Sequence, residues 1–323
     1  MSDSQTLRRT LALPGPRATH RIFLTGATGV IGQRLIPLLL EAGHQVTAVG
    51  RSPEKRDHLS RQGAQAVEAD LFDPAAVRRA IGRSDVIINL ATSVPAGLLA
   101  LWPGAWSPMD RVRRRISANL ANAAIEHTGI ARFVQESFAG IYADAGADWI
   151  DESAEARPAS FNRSTLEAEA NAARAGRGGT VAVVLRFGLF YGENDAVTDQ
   201  LLGSVRRGWW PLFGDPEGYS SWVSHLDAAR AVVAALQVPA GLYNVVDDMP
   251  LKRRVLAASL AHRLGVRPPR FLPRWVTRIG GPVAGSLARS LRISNLRFRS
   301  AAAWAPRYPT ALAGLSAVAR TDA

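Results

Sequence analysis

IFLTGATGVIG, residues 22–32, decides the fold. A short apolar run ends near Leu24 and gives way to Gly26, Gly29 and Gly32, and the residues from Ile31 to Ala42 have a helical pattern. Glycines at this spacing permit a tight turn, let a pyrophosphate approach the backbone, and let helix and strand pack closely. The helix start then faces the phosphates with free N–H groups and the positive end of its dipole. A glycine triplet alone is a common feature. One that follows a strand and opens a helix has the context a dinucleotide cradle requires. The stretch assigns Thr25, Gly26, Thr28, Gly29, Val30, Ile31 and Gly32 to that cradle.

The next strand ends decide which dinucleotide. An acid at the end of the second strand would bind a ribose 2′-hydroxyl, whereas an arginine suits a 2′-phosphate. VTAVGRSPEKR places Arg51 there, with Lys55 and Arg56 one turn on and no acid at the position. NADP(H) is therefore expected over NAD(H). EADLFD sets Asp70 and Leu71 after the third strand, and INLAT sets Leu90, Ala91 and Thr92 at the end of the fourth, all bordering the nucleotide.

Apolar runs end near Leu24, Val49, Val67, Leu90, Val134 and Val184, with helix-length segments between most of them. Strand and helix in strict turn argue for an α/β chain with a doubly wound parallel sheet. After Phe187 the segments shorten and grow richer in Pro, Gly and Trp. A helix from Asp227 to Leu236, a strand from Gly241 to Val246 and a helix from Lys252 to Leu264 are still expected. The expected organisation is a flexible tail over 1–19, a nucleotide-binding domain over 20–190, and a smaller substrate or lid region over 191–323, interleaved with the sheet.

Composition narrows the chemistry. The 323 residues, 47% of them hydrophobic, suffice for one large domain or two joined ones. With no cysteine, disulfides and thiolate chemistry are excluded, and six scattered His without an HxH or HExxH pair argue against a metal site. No apolar run reaches the roughly 18 residues of a membrane span, so a cytoplasmic protein is the default expectation. The net charge of +12 comes from 39 basic residues, of which only Lys55 and Lys252 are lysine. That skew reads as base composition rather than as a nucleic-acid surface. The cluster from Arg111 to Arg115, interrupted by Val112, reads as the solvated face of a helix.

Later blocks carry a resemblance. TGATGVIG at 25–32, DL at 70–71, NLA at 89–91, FVQESFAGIY at 133–142, LRFGLFYG at 185–192, LDAARA at 226–231 and GLYNVVDD at 241–248 stand in the order found in one superfamily. Over about residues 20–310 the chain resembles the short-chain dehydrogenases/reductases, in their extended or atypical NAD-dependent epimerase/dehydratase branch. The resemblance implies a Rossmann-type sheet with a smaller C-terminal substrate-binding region, a nicotinamide cofactor, and dimerisation through two helices. It also implies a Ser/Thr–Tyr–Lys group in which the Tyr moves a proton and the Lys holds the ribose.

That group is missing here. The stretch matching Y-x-x-x-K is Phe161 to Thr165, and the Ser/Thr position falls on Phe138, with Ser137 one residue early. The five tyrosines are followed four residues later by Gly146, Asp195, Val223, Asp247 and Leu312, so the Tyr–Lys pair exists nowhere in the chain. Ser137 and Tyr142 are the nominated replacements, with Tyr191, Glu193, Asp195, Tyr219 and His225 as further candidates. Three readings stay open: an atypical oxidoreductase or epimerase-like tailoring enzyme, a non-redox cyclase or isomerase reusing the pocket, and an NADP-sensing regulator. Phe138, Phe161, Trp102, Trp106, Trp149, Trp209 and Trp210 fall in segments expected around the cleft or its lid. They point to an apolar small-molecule substrate, with no nucleic acid or membrane partner expected.

Overall fold

A computed structural model of the chain describes residues 19–95, 97–127 and 129–321. The expected N-terminal tail thus lies, but for Thr19, outside the described residues.

Seven parallel strands form the central sheet: β1 (Arg21–Thr25), β2 (Gln45–Val49), β3 (Gln65–Val67), β4 (Val86–Asn89), β5 (Arg132–Phe138), β6 (Val181–Phe187) and β7 (Gly241–Val245). Their order across the sheet is β7-β6-β5-β4-β1-β2-β3. The chain winds outward from β1 in one direction, returns to pair β4 with β1, and winds outward in the other. The reversal opens a crevice beyond the carboxyl ends of β1 and β4, where such sheets bind ligands. β1 is buried at every position but its first, and β4 throughout, as strands covered on both faces must be.

The main helices are α1 (Gly32–Glu41), α2 (Pro53–Arg61), α3 (Pro74–Ile81), α4 (Ser117–Glu126), α5 (Ser164–Arg177), α6 (Ala196–Arg206), α7 (His225–Ala234), α8 (Arg253–Arg263) and α9 (Ala311–Thr321). Leu35, Leu39, Leu59, Ala228 and Val232 of α1, α2 and α7 share one core with the sheet. Val77, Ile81, Leu120, Ala172 and Ala175 of α3, α4 and α5 build the other. A third core, under α6, α8 and α9, encloses Tyr191, Trp210 and Trp222.

From beyond residue 190, α7 packs into the first core and β7 forms the sheet edge. α4 is preceded by a helical turn, Ser107–Arg111, and a π-helical turn, Val112–Ile116. There the arginine cluster is not wholly solvated: Arg111, Arg114 and Arg115 are exposed, but Arg113 turns inward and is 6% exposed. Arg113 shares its helical stripe with Ile116, Ser117 and Leu120, all buried. The stretch 274–292 contains two short helices, Arg274–Ile279 and Gly281–Leu287, broken where Gly281 adopts a positive φ of 65°. Among the described residues no helix is long and apolar enough to cross a membrane.

Candidate functional site

The glycine turn follows from backbone geometry. Gly26 has a φ of 72°, and a Cβ there would lie 2.2 Å from the Leu90 carbonyl oxygen. A Cβ on Gly32 would meet the Gly26 and Ala27 carbonyl oxygens at 2.4 and 2.5 Å. These two glycines let the turn press against β4 and α1 against the turn. Gly29 differs: a Cβ there would meet only the Gly26 oxygen, at 3.2 Å, so its other surroundings are open. No side chain caps α1 and no acid stands in its first turn, which leaves its N-terminus to an anion. The Gln33 amide and Arg34 guanidinium hold the carbonyls of Thr28 and Val30, each at 2.8 Å. Arg34 also donates to the Glu193 carbonyl, tying the turn to the loop after Tyr191.

A cleft of about 450 Å3 opens above this turn. It gathers Gly26, Thr28, Gly29, Arg51, Asp70, Leu71, Leu90, Ala91 and Thr92, nine of the thirteen cradle residues assigned from sequence, and adds Lys55, Val112 and Ile116. The other four lie outside that lining. Thr25 is buried and donates to Asn89 at 2.6 Å, Ile31 and Gly32 are buried at the helix start, and Val30 is exposed beside it. Arg51 and Lys55 are exposed, and among the described residues neither forms an ion pair. Arg56 is committed elsewhere, to Glu68 at 2.9 Å. The open space over Gly29 and the uncapped helix fit a dinucleotide, with Arg51, Lys55 and Glu68 in the same cleft at the β2 end.

Phe161 and Thr165, which the sequence sets against the family's Tyr and Lys, are both buried. Phe161 is 5% exposed and packs on Trp106, with ring centroids 4.7 Å apart. Thr165 is fully buried, and its hydroxyl has no hydrogen-bond partner; nor does either amide atom of the buried Asn162.

Neither nominated replacement presents a free hydroxyl. Ser137 is 1% exposed and donates to Glu169 at 2.5 Å. Glu169 in turn accepts two hydrogen bonds from Arg186, both at 2.7 Å. Burial opposes the Arg186 charge, but the Glu169 carboxylate outweighs it and holds the guanidinium more firmly protonated. Tyr142 is completely buried and donates to Asn244 at 2.8 Å, with Arg186 4.7 Å from its ring centre. Burial raises its phenol pKa, against the pull of Arg186.

Tyr191 packs in the third core beside Trp222, and burial pushes its phenol up. Asp195 caps α6 through the Thr198 amide at 3.0 Å. His225 is buried against Phe190, and burial brings its imidazole down to about 4. Tyr219 lies under the Arg292 guanidinium and, with Phe138 and Arg253, lines a small cavity of about 40 Å3. Of the tryptophans, Trp106 meets Phe161, Trp210 is core, and Trp102, Trp149 and Trp209 are exposed.

Sequence reasoning passed over two buried charges here. Arg113 has an Nη1 without an acceptor, and burial lowers its pKa against the pull of Glu136, Asp110 and Glu169. Glu136, 8% exposed at the end of β5, is raised by burial, with Arg113 opposing. The signal for Arg113 was its place on the inward stripe of its helix.

The family model for the NAD dependent epimerase/dehydratase family matches residues 22–245. The 3-diazoavenalumate denitrifying reductase of a Streptomyces species is 31% identical over 306 residues, covering 91% of this chain and 99% of that protein. Among solved structures, a human epimerase family protein with NADPH superposes with a TM-score of 0.74 at 20% identity, over 93% of this chain and 99% of that one. The UDP-glucose 4-epimerase of Thermus thermophilus, in complex with NAD, gives 0.75 at 23%, over 94% and 100%. The matched span, the shared sheet and the glycine cradle lead to one assignment: the chain belongs to the NAD-dependent epimerase/dehydratase family, whose members are nicotinamide-dependent enzymes.

Proposed function

We propose that the chain is an NADP(H)-dependent reductase that delivers hydride to an apolar aromatic substrate without the family's Tyr–Lys proton relay. The observation that carries this reading is the packing on Trp106 of Phe161, the residue that the sequence sets against the family's catalytic tyrosine. An aromatic wall there can position a flat ring but cannot move a proton.

The cofactor, when bound, supplies a hydride. Arg51 and Lys55 would hold its 2′-phosphate, and the uncapped start of α1 its pyrophosphate. Phe161 and Trp106 would exclude water from the substrate end and fix the ring's orientation.

A reaction that needs no proton suits such a site. Reduction of an arenediazonium is one: Ar–N2+ and H− give Ar–H and N2, with a C–H bond formed, the C–N bond broken and no acid consumed. The 31%-identical Streptomyces relative is named for a denitrifying reduction of a diazo compound, which supports this substrate class. Stopped-flow oxidation of NADPH with an arenediazonium, alongside UDP-glucose, tests it. Deuterium from 4-deuterated NADPH should appear in the arene. Turnover of the sugar nucleotide without reduction of the diazonium would overturn the reading.

A further inference from the structure

The positive charge of the chain is confined to one part of it. Residues 249–321 hold fourteen basic residues and no acid, whereas the rest of the chain holds 25 basic and 27 acidic residues. A skew in base composition accounts for arginine in place of lysine. It does not remove every Asp and Glu from a stretch of this length. Many of these cations are engaged. Lys252 and Arg254 pair with Glu217, and Arg299 pairs with Asp248. Arg253 is buried and donates to the carbonyls of Asp215, Leu287 and Arg289, and Arg292 lies over the rings of Trp149 and Tyr219. Arg263, Arg267 and Arg270 differ: all three are exposed, and among the described residues none of them forms an ion pair.

The fold sets these arginines beside exposed apolar side chains. α6 and α8 pack together, and the segments that leave their C-terminal ends are joined. The Arg270 amide donates to the Gly208 carbonyl at 2.8 Å, and the Trp210 amide to the Arg270 carbonyl at 2.9 Å, so Trp209 stands beside Arg270. Successive side chains alternate along such a pair. Trp210 is buried against Phe271, with ring centroids 6.0 Å apart, while Arg270 is exposed and Trp209 is 48% exposed. Arg206 and Arg207, at the end of α6, are exposed as well, and the one acid of that helix, Asp199, stands in its first turn, at the opposite end. Beyond Arg270 the chain enters the short helix Arg274–Ile279. Its Trp275 and Ile279, one turn apart on one face, are 61% and 76% exposed. Trp275 follows Arg270 by five residues, so the two lie within about 18 Å of each other however the chain runs.

We propose that this face is a docking surface for an anionic phospholipid bilayer. Arg263, Arg267 and Arg270 would meet the lipid phosphates, and Trp209, Trp275 and Ile279 would enter the interface beneath the headgroups. Charge complementarity calls for an anionic partner, and the exposed apolar pair decides which kind. Ile279 offers nothing to a phosphate backbone, but apolar side chains presented beside cations are what a helix inserts into a bilayer surface. The contact is peripheral, since no described helix is long and apolar enough to cross a membrane. The proposal replaces the expectation that no membrane partner is involved, and it stands whether or not the chain reduces a diazonium.

The protein is sedimented with vesicles of phosphatidylcholine alone and of equal parts phosphatidylcholine and phosphatidylglycerol. It should bind the second and not the first, and binding should weaken as salt is raised. Each arginine neutralised should weaken it about fivefold, so Arg267→Gln combined with Arg270→Gln should weaken it by about twentyfold. Trp275→Ser and Ile279→Ser should each weaken it too, with the melting temperature unchanged, because both side chains are exposed. Arg115→Gln removes a charge from an exposed site on the turn before α4 and should bind as wild type does. Failure to bind phosphatidylglycerol vesicles at low salt would overturn the surface. Equal weakening by Arg115→Gln and Arg267→Gln would do the same, because net charge alone would then be responsible. Binding that survives Trp275→Ser and Ile279→Ser, and that DNA competes away, would assign the face to a nucleic acid and overturn the bilayer.

Discussion

Replacing Glu169 by alanine tests whether Ser137 belongs to a structural clamp. The Glu169 carboxylate accepts two hydrogen bonds from Arg186 and one from Ser137, joining α5 to the ends of β5 and β6. The side chains of Arg186 and Glu169 are 6% and 11% exposed, so solvent screens the pair little. Removing Glu169 strands the Arg186 guanidinium without a carboxylate, which costs about 3–5 kcal/mol for a buried pair broken on one side. Glu169→Gln keeps the shape and one acceptor, and should cost about 1.5–3 kcal/mol. Ser137→Ala loses a single hydrogen bond to a charged group and should fall in or below that same range of about 1.5–3 kcal/mol. Equilibrium urea unfolding followed by tryptophan fluorescence measures all three, with NADPH oxidation recorded on the same samples. A clamp predicts that Glu169→Ala loses the most stability, Glu169→Gln less and Ser137→Ala least. It also predicts near-normal turnover for Ser137→Ala at a temperature where it is folded. A stability loss below about 0.5 kcal/mol for Glu169→Ala, the range of an ordinary surface substitution, would refute the clamp. Loss of turnover in Ser137→Ala at unchanged stability would return Ser137 to the chemistry.

The other predictions concern pH and substrate. Burial raises the Asp247 carboxyl to about 7 despite amide hydrogen bonds from Trp222 and Ala311. A folded value above the unfolded one of about 3.9 means that this group's contribution is fully present below about pH 4 and is lost as pH rises through about 7. Burial lowers His225 to about 4, and its contribution has the opposite sign: present above its unfolded value and lost as pH falls through about 4. The two oppose each other in wild type, so the check is the difference between Asp247→Asn and wild type in urea unfolding. It should move in favour of the variant between about pH 5 and pH 8, and a pH-independent difference would contradict the assignment. NADPH oxidation should accompany arenediazonium reduction and not UDP-glucose turnover.

Where the sequence was legible, the information was local. The bounds of α2 and α3 follow from Ser52-Pro53 and Asp73-Pro74, where a capping side chain and a proline at the first turn fix a helix start by themselves. The glycine cradle was legible for the same reason. β5 runs past Val134 through the polar Gln135, Glu136 and Ser137, and β6 past Val184 through Leu185, Arg186 and Phe187. Gln135 bonds to Asn89, Ser137 to Glu169 and Arg186 to Glu169, and these partners come from other elements. Tyr142 looked available because its partner, Asn244, lies 102 residues away. Arg113 was hidden by its neighbours: three exposed arginines surround it, and only the helical stripe reveals that it faces inward.

The most direct test of the account is a fluorescence titration of NADPH and NADH into wild type and Arg51→Asp. The account predicts that wild type binds NADPH more tightly than NADH by about tenfold or more, as expected for a phosphate held by arginine, and that Arg51→Asp abolishes or reverses the preference. Equal affinity for the two cofactors, or a preference for NADPH that survives Arg51→Asp, would contradict it.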